Sequence, residues 1–178
     1  MRIISGSHKG RRYRAPSNIP ARPTTDYAKE SLFNILDHSL EWKECCMLDL
    51  FAGIAGISLE AASRGCKEIR CVDLNIKSVS WIKKISSEFG FDSIKPTKSD
   101  SIKWLKRNKL SFDFVFADPP YDYNDYPLLI EQVLKTALKP SGVLVLEHRQ
   151  SNSFANHQNY LEHRTYGEVR FSFFGLKT

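Results

Sequence analysis

Large aromatic side chains recur with a period of two in the stretch Phe112–Ala117, where Asp113, Val115 and Ala117 alternate with three phenylalanines. This spacing and the aromatic content predict a buried strand. The strand ends at Asp118-Pro119-Pro120-Tyr121, because proline has no N–H group to donate to a neighbouring strand. A carboxylate, accepting carbonyl groups and an aromatic ring at one strand tip suit a flat heterocycle that carries an amino group. The alternative is a proline loop with a solvated carboxylate.

Short apolar runs elsewhere alternate with stretches of helical spacing. The apolar runs predict strands at 45–51, 68–73, 93–98 and 143–147, and the stretches 160–166 and 168–174 predict a closing hairpin. Helical spacing and capping residues predict helices at 26–40, 57–64, 76–89, 101–107 and 127–138, with a turn at 139–142. In the third helix we expect Ile76, Val79, Ile82, Ile85 and Phe89 to face the core. The alternation predicts an α/β fold with a doubly wound, mostly parallel sheet and right-handed crossovers.

Acidic and small residues follow several of the predicted strands, and ligands of such sheets bind beyond these carboxyl ends. Asp49 and the small residues Ala52 and Gly53 lie at the end of the first strand, where the backbone could approach a ligand closely. Asp73 comes 20 positions after Gly53, a distance typical of an acid that holds ribose hydroxyls. Asp100 ends the third strand and could face an amino group of a base. For Asp73 and Asp100, helix capping is the alternative role.

The charge of these acids narrows the class of ligand. The dinucleotide fingerprint GxGxxG is absent, and Asp49, Asp73 and Asp118 would repel a pyrophosphate. They suit a nucleoside cofactor that carries a cation, and S-adenosylmethionine, with a sulfonium, an ammonium and a ribose, has this charge pattern. Glu147, at the end of the fifth strand, is assigned to the edge of the core.

The positive charge of the chain is concentrated at its N-terminus. The protein has 26 lysine and arginine residues against 20 aspartate and glutamate residues, and its first 22 residues contain no acid. The basic residues of this stretch are Arg2, Lys9, Arg11, Arg12, Arg14 and Arg22. They form a candidate phosphate-binding surface, with a solvated basic end as the alternative. Glycines at positions 6 and 10 predict a short hairpin, so we divide the chain into a basic arm at 1–22 and a main domain at 23–178.

Composition excludes some classes of protein. No part of the sequence approaches the roughly 18 consecutive apolar residues of a membrane span, and the N-terminus lacks the apolar region of a signal peptide. We therefore expect a cytoplasmic protein without a membrane partner. The cysteines match no zinc or thioredoxin spacing, and we assign Cys45, Cys46, Cys66 and Cys71 to the core as thiols. We expect a monomer without a metal site.

Longer motifs extend over nearly the whole chain. They are RIISGSHKGRR at Arg2–Arg12, RPTTDYAKESLFNIL at Arg22–Leu36, LDLFAG at Leu48–Gly53 with LEAASRG at Leu59–Gly65, and DPPY at Asp118–Tyr121. In this order they resemble the small-subunit ribosomal RNA guanine-N2 methyltransferases of the RsmD family. The DPPY motif occurs in many amino-group methyltransferases, whereas the first two motifs are much more specific to this family.

The resemblance implies a class I S-adenosylmethionine-dependent methyltransferase with a Rossmann-like, seven-stranded, mostly parallel sheet, a C-terminal antiparallel hairpin and a small N-terminal hairpin. It implies a substrate, the exocyclic N2 amino group of one guanine in 16S rRNA, methylated in the assembled small ribosomal subunit. The cofactor residues it implies are Asp49, Phe51, Ala52, Gly53, Asp73, Leu74, Asp100, Ser101 and Asp118. The catalytic residues it implies are Asp118, Pro119, Pro120 and Tyr121, with Tyr121 stacked on the base. The basic residues of the arm would bind the RNA.

Two departures from the family pattern concern the cofactor. The loop Ile54-Ala55-Gly56 stands where the family usually has Ser-Gly-Ala, and the missing glycine at Ala55 could narrow the methionine end of the pocket or weaken cofactor affinity. Asp73 replaces a usual glutamate but keeps its charge. The rival functions are a DNA adenine-N6 amino methyltransferase, which shares the DPPY chemistry, and an inactive RNA-binding or ribosome assembly factor. A protein-glutamine methyltransferase is disfavoured, because asparagine is expected there in place of Asp118.

Overall fold

The computed structural model describes residues 1–19 and 24–177, which contain five helices and seven strands. The helices are α1 (Asp26–Leu36), α2 (Gly56–Ser63), α3 (Ile76–Phe89), α4 (Ser101–Arg107) and α5 (Tyr126–Thr136). The strands are β1 (Cys46–Leu50), β2 (Glu68–Asp73), β3 (Ile94–Lys98), β4 (Phe112–Ala117), β5 (Leu138–Arg149), β6 (Tyr160–Tyr166) and β7 (Val169–Gly175). Within the described ranges, no helix is long and apolar enough to cross a membrane.

The strands form one seven-stranded sheet in the order β3-β2-β1-β4-β5-β7-β6. β1 lies between β2 and β4 in parallel register, with Asp49 opposite Cys71 on one side and Phe116 on the other. β7 runs antiparallel to both β5 and β6. The strand order reverses at β1, which is where ligands bind in doubly wound sheets. The predicted α/β fold with its antiparallel C-terminal hairpin is confirmed.

Helices cover both faces of the sheet. Met47 of β1 packs in a cluster with side chains of α1, α2 and α3, whereas the next residue, Leu48, packs with side chains of α4 and α5. Successive strand residues point to opposite faces, so a strand covered on both sides must be apolar at every position. Each fully buried leucine or phenylalanine contributes about 1.5–3 kcal/mol through removal from water. The continuous apolar runs of the sequence therefore correspond to the central strands.

The prediction that the first helix continues to residue 40 is wrong. α1 ends at Leu36, where the N–H group of the next residue, Asp37, donates to the carbonyl of Phe33. The Asp37 carboxylate accepts a hydrogen bond from Trp42 Nε1 at 2.7 Å and pairs with Arg64. These two partners hold the chain in a turn directly after the helix, so a tertiary contact ends a helix that the apolar spacing would allow to continue.

Two further predictions are wrong. Residues 139–142 lie inside β5 instead of forming a separate turn, and a register shift between Phe112 and Phe114 of β4 accommodates them. Lys139 Nζ donates to Asp113 Oδ2 at 2.8 Å across this irregularity. Ile76, expected in the core, is 53% exposed because it begins α3, and the buried face of that helix starts later.

The N-terminal segment, residues 1–19, packs on α2 and on the end of α3. An isolated antiparallel bridge joins Arg2 to Arg12, and the Gly10 N–H group donates to the carbonyl of Ile3 at 2.8 Å. Ile3 and Tyr13 are buried. In the described residues, the predicted N-terminal hairpin is reduced to this one bridge. The buried side chains of the segment belong to the hydrophobic core next to the sheet. The predicted boundary between 22 and 23 lies outside the described residues.

Glu60 of α2 anchors the N-terminal segment. Its fully buried carboxylate accepts hydrogen bonds from the backbone N–H groups of Ile4 at 2.7 Å and Ser5 at 3.0 Å. Arg64 Nε donates to the same carboxylate at 3.1 Å, and Lys29 Nζ lies 3.9 Å away. Bonds to a charged, buried acceptor are among the stronger ones in proteins. The segment is therefore held rigidly against the helix that follows the first glycine loop.

A pair of glycines tests this docking. Gly6 and Gly10 share a φ of +82°, but a Cβ added at Gly6 would lie 1.9 Å from the Ser63 carbonyl oxygen, whereas a Cβ added at Gly10 meets nothing within 4 Å. Both Gly→Ala changes should cost about 1–2 kcal/mol of backbone strain. We expect Gly6→Ala to cost about 1–3 kcal/mol more and to expose the amides of residues 1–14. Urea unfolding and hydrogen exchange measure both effects, and equal behaviour of the two variants would contradict the docking.

Candidate active site

A cavity of about 730 Å³ opens at the carboxyl ends of β1, β2 and β4. Every residue predicted for catalysis or cofactor binding lines it: Asp49, Phe51, Ala52, Gly53, Asp73, Leu74, Asp100, Ser101, Asp118, Pro119, Pro120 and Tyr121. They meet because the strands that carry them are parallel neighbours, whose carboxyl ends share one edge of the sheet. The volume is in the range of small-molecule and cofactor sites.

The loop between β1 and α2 has a strained backbone. Phe51 and Ala55 have φ values of 59° and 60°, in the left-handed region that side chains other than glycine adopt at a cost of about 1–2 kcal/mol. Trp81 Nε1 donates to the carbonyl of Ile54 at 3.2 Å and holds the loop from the α3 side. Ala55 therefore occupies, with a side chain, a backbone position that suits the glycine of the family pattern. Strain of this kind is common at functional sites.

Asp73 braces the same loop from β2. One carboxylate oxygen accepts a hydrogen bond from the Gly53 N–H group at 2.7 Å, and the other accepts one from the Asn75 N–H group at 2.7 Å. Asn75 in turn caps α3 by accepting from the Lys77 N–H group. The helix-capping alternative for Asp73 is thus present in the structure, because Asp73 holds the N-cap residue Asn75. Each carboxylate oxygen has a second acceptor position, so the same side chain can also receive ribose hydroxyls.

Asp100 caps α4. Its side chain accepts a hydrogen bond from the Lys103 N–H group at 2.9 Å, which is the alternative role stated for it above. Asp100 and the buried Ser101 nevertheless line the cavity at the end of β3. Leu74, on the neighbouring turn, is 66% exposed and offers an apolar surface at this end. This part of the cavity combines acceptors with an apolar face, as a base requires.

The buried carboxyl groups of Asp49 and Glu147 and the half-buried one of Asp118 lie at the other end of the cavity. Asp49 is buried and accepts a hydrogen bond from Ser58 Oγ at 2.5 Å, yet burial raises its pKa to about 7. The pKa of Asp118 lies well above its usual range because of burial and then the negative charges of Glu147 and Asp49. Glu147 is itself buried and accepts a hydrogen bond from Thr24 Oγ1 at 3.1 Å. A cation in this cavity would be stabilised by all three groups.

The size of the cavity suits an organic cation. In the part of the chain that the structure describes, no group of three or more histidine, cysteine or acidic side chains is arranged to hold a metal. Cys45, Cys46, Cys66 and Cys71 are present as thiols, and only Cys46 among them is not buried. The acids of the cavity instead surround a space large enough for a whole nucleoside.

Tyr121 lies at the mouth of the cavity. Its ring is 40% exposed, and the guanidinium carbon of Arg149 lies 4.4 Å from the ring centre. A cation over an aromatic face stabilises the ring's position by about 0.5–1 kcal/mol at exposed sites. Pro119 is buried and Pro120 is exposed. The motif after β4 thus presents its carboxylate inside the cavity and its aromatic ring at the opening.

Sequence reasoning missed several residues of this site. Glu147, assigned to the edge of the core, lines the cavity, and so do Met1, Tyr13, Thr24, Lys29, Ser78 and Tyr123. A signal existed for Lys29, because a lysine between Ala28 and Leu32 on the apolar face of α1 must find buried partners. For Met1 and Tyr13, which come from the N-terminal segment, the sequence contains no comparable signal.

The basic residues of the N-terminal segment lie outside the cavity. Arg2 pairs with Asp26 at 3.4 Å, and Arg11 covers the ring of Phe89 at 3.7 Å. Lys9, Arg12 and Arg14 are exposed to solvent. Arg22 lies outside the described residues. Two of the predicted RNA-binding side chains are thus engaged within the protein, and three face outward.

Comparison with known proteins bears on the family. A family model described as conserved hypothetical protein 95 matches residues 1–175. The ribosomal RNA small subunit methyltransferase D of Buchnera aphidicola is 30% identical, and the match covers 85% of this chain and 77% of that protein. The protein of the same name from Haemophilus influenzae is 30% identical, with 96% of this chain and 91% of that protein covered. The resemblance to the RsmD family is confirmed.

Solved structures agree with this assignment of fold. A hypothetical protein of Thermus thermophilus is 26% identical over 99% of both chains, with a TM-score of 0.86. A SAM-dependent methyltransferase from Agrobacterium tumefaciens, 19% identical, has a TM-score of 0.65 over 85% of this chain and 61% of its own. The class I methyltransferase fold expected from the sequence is confirmed.

The raised pKa of Asp49 predicts a pH-dependent stability. Between the unfolded value of 3.8 and about 7, the native state binds more protons at this group than the unfolded state does. Burial of Asp49 therefore lowers the free energy of unfolding by an amount that grows as pH rises through this range. Above this range the amount stays constant. We expect the free energy of unfolding of Asp49→Asn, relative to that of the unaltered protein, to be a few kcal/mol higher at about pH 8 than at about pH 4.5. Urea unfolding at the two pH values measures this gain, with the exposed Asp92→Asn as control for loss of one charge, and a gain independent of pH would contradict it.

Proposed function

Because the chain belongs to the conserved hypothetical protein 95 family, to which ribosomal RNA small subunit methyltransferase D is assigned, we propose that it methylates 16S ribosomal RNA. The reaction transfers a methyl group from S-adenosylmethionine to the exocyclic N2 amino group of a guanine in the small ribosomal subunit. The observation that carries this proposal is the tip of β4, where Asp118-Pro119-Pro120-Tyr121 borders a cavity that also contains Asp49, Gly53 and Asp73.

The residues that line the cavity support binding of the cofactor. Asp73 holds the ribose hydroxyls, and the turn at Leu74 with Asp100 and Ser101 receives the adenine. The carboxyl groups of Asp49, Asp118 and Glu147 face the end where the cofactor carries its positive charges. These charges favour the ionised carboxylates, so cofactor binding releases the protons that burial retains. Phe51, Ala52 and Gly53 also line the cavity.

When bound, S-adenosylmethionine supplies a methyl group that its sulfonium has already activated. The remaining obstacle is the guanine amine, whose lone pair is delocalised into the ring. Asp118 and a carbonyl of Pro119 or Pro120 accept hydrogen bonds from the two N–H groups of the amine. These bonds favour a pyramidal nitrogen with an exposed lone pair. Positioning of this kind lowers the activation free energy by about 7–11 kcal/mol in well-oriented systems. Asp118 also stabilises the positive charge that develops on the nitrogen.

Tyr121 supplies the stacking surface for the target base. Stacking on an aromatic side chain contributes about 1–3 kcal/mol per base, which offsets the few kcal/mol needed to unstack the guanine. Arg149 lies over one face of the ring, so it supports Tyr121 from that side and brings a positive charge to the mouth of the cavity. The exposed Lys9, Arg12 and Arg14 extend this positive surface along the N-terminal segment.

Transfer of a tritium-labelled methyl group tests the function. Small subunits from cells that lack this protein should accept label from S-adenosylmethionine, and nuclease mapping should place it on one guanine N2 of 16S rRNA. We expect Asp118→Ala to reduce transfer at least about 100-fold, while its affinity for S-adenosylhomocysteine, which lacks the sulfonium charge, falls much less. Naked 16S rRNA and DNA serve as comparison substrates.

Several results would contradict the proposal. Label on DNA adenine would favour the rival DNA enzyme, and cofactor binding without any transfer to subunits would favour an inactive assembly factor. Full activity of Asp118→Ala would remove this carboxylate from the chemistry.

The salt dependence of binding tests the RNA surface. Arg12 and Arg14 are exposed and flank a buried residue, so their replacement by glutamine leaves the packing intact. Each lost phosphate contact should lower the slope of log affinity against log salt by about 0.7–0.9. We expect a shallower slope for the double variant Arg12→Gln/Arg14→Gln on small subunits, and no change for Lys135→Gln on the far side of the sheet in α5. An unchanged slope in the first variant would exclude this surface.

A further inference from the structure

The hydroxyl of Tyr13 is a buried polar group without a partner in residues 1–19 and 24–177. Tyr13 is 8% exposed and belongs to the N-terminal segment, yet it lines the cavity of the active site. Buried hydroxyl groups in proteins are almost always hydrogen-bonded, because an unmade bond is unfavourable once water is excluded. A donor of this kind at the wall of a ligand cavity indicates that the ligand supplies the acceptor.

The position of this hydroxyl identifies the part of the cavity concerned. It lies 3.7 Å from the place that a Cβ on Gly56 would occupy, so it adjoins the first residue of α2. Gly56 and Ile57 also line the cavity, and the helix has no side-chain cap, since its N-cap residue is Ala55. The beginning of a helix favours negative charge. Tyr13 and α2 thus form a wall of donors.

Lys29 adds a second donor to the wall of the cavity, and two neighbouring acids balance its charge. Its ammonium group donates to the carbonyl of Arg2 at 2.6 Å and lies 3.8 Å from Asp26 and 3.9 Å from Glu60. Lys29 is buried and lines the cavity. The acids Asp49 and Glu147 border the cavity from the strand ends. A space between donors on one side and carboxylates on the other suits a zwitterion, and the amino-acid end of S-adenosylmethionine is one.

Tyr13 remains a donor over the whole physiological range. Burial, and then the negative charges of Glu60 and Asp26, raise the pKa of its hydroxyl far above the ordinary value. The group therefore keeps its proton and can donate it to an anionic oxygen.

We propose that the Tyr13 hydroxyl donates a hydrogen bond to the carboxylate of the cofactor's methionine moiety, so that the docked N-terminal segment completes the cofactor site. This inference rests on the proposed function only in taking S-adenosylmethionine as the cofactor. It assigns Tyr13 to cofactor binding and not to the chemical step. The N-terminal segment would then have two binding surfaces, one toward the cofactor at the buried Tyr13 and one toward solvent at the flanking, exposed Arg12 and Arg14.

Truncated ligands test the proposal with the intact chain. Tyr13→Phe removes only the hydroxyl, and calorimetry compares its affinity for S-adenosylmethionine, for decarboxylated S-adenosylmethionine and for 5′-methylthioadenosine. We expect about a tenfold loss of affinity for the first ligand, as for a hydrogen bond to a charged group. For the other two ligands, which lack the carboxylate, we expect less than a twofold change. Tyr27→Phe, at a tyrosine that is 72% exposed on α1, is the matched control and should bind all three ligands as the unaltered protein does.

A second measurement separates cofactor binding from a structural role. The hydroxyl has no partner in the described residues, so Tyr13→Phe should not lower the thermal stability of the protein without cofactor. Unchanged affinity for S-adenosylmethionine, or an equal loss for all three ligands, would overturn the role of Tyr13 alone. If the unaltered protein bound none of the three ligands, the cofactor assignment itself would fail, and with it the role of Tyr13.

Discussion

The main constraint on the site is the clustering of acidic side chains, largely removed from water, at the C-terminal ends of the strands. Asp49, Asp118 and Glu147 come from three different strands or strand ends and line one cavity. Burial raises the pKa of Asp49 and of Asp118, and the negative charges of Glu147 and Asp49 raise that of Asp118 further, which is unfavourable for the folded protein by itself. A bound cation reverses this balance, because it favours the ionised form of each group. The same arrangement that costs stability therefore creates affinity for a sulfonium cofactor, and it explains why a pyrophosphate cofactor is excluded.

The second constraint is the buried carboxylate of Glu60, which ties the N-terminal segment to α2. By accepting hydrogen bonds from Ile4 and Ser5, it fixes the first residues of the chain against the helix that starts at Gly56. Removal of one partner from a buried charged group of this kind costs about 3–5 kcal/mol. The basic residues that face solvent and the hydroxyl that faces the cavity are consequently parts of one rigid element. The basic residues proposed to bind RNA and the hydroxyl proposed to bind the cofactor therefore lie within a few residues of each other.

The strained loop between β1 and α2 connects these two constraints. Asp73 and Trp81 hold it by hydrogen bonds to Gly53 and to the Ile54 carbonyl, and Ala55 tolerates a left-handed backbone within this frame. A loop held from both neighbouring elements loses little entropy when a ligand binds, which favours affinity. The replacement of a glycine at Ala55 is thus absorbed by contacts that the rest of the fold provides.

The sequence by itself determined the order of strands and helices, the end of β4 at Asp118, the caps at Asn75 and Asp100, and the convergence of the predicted cofactor residues. The first three follow from side-chain periodicity, the missing N–H of proline and capping preferences, and the geometry of parallel strands explains the convergence, whereas Phe51, Leu74 and Ser101 were implied by the resemblance to the RsmD family. Only the tertiary structure decided that α1 stops at Leu36, that Glu147 belongs to the cavity and that Tyr13 reaches it. Each of these depends on contacts between residues far apart in the chain, such as Asp37 with Arg64 or Glu60 with Ile4, and no local pattern specifies them. Burial and charge at a site arise from packing, and packing is a property of the folded chain.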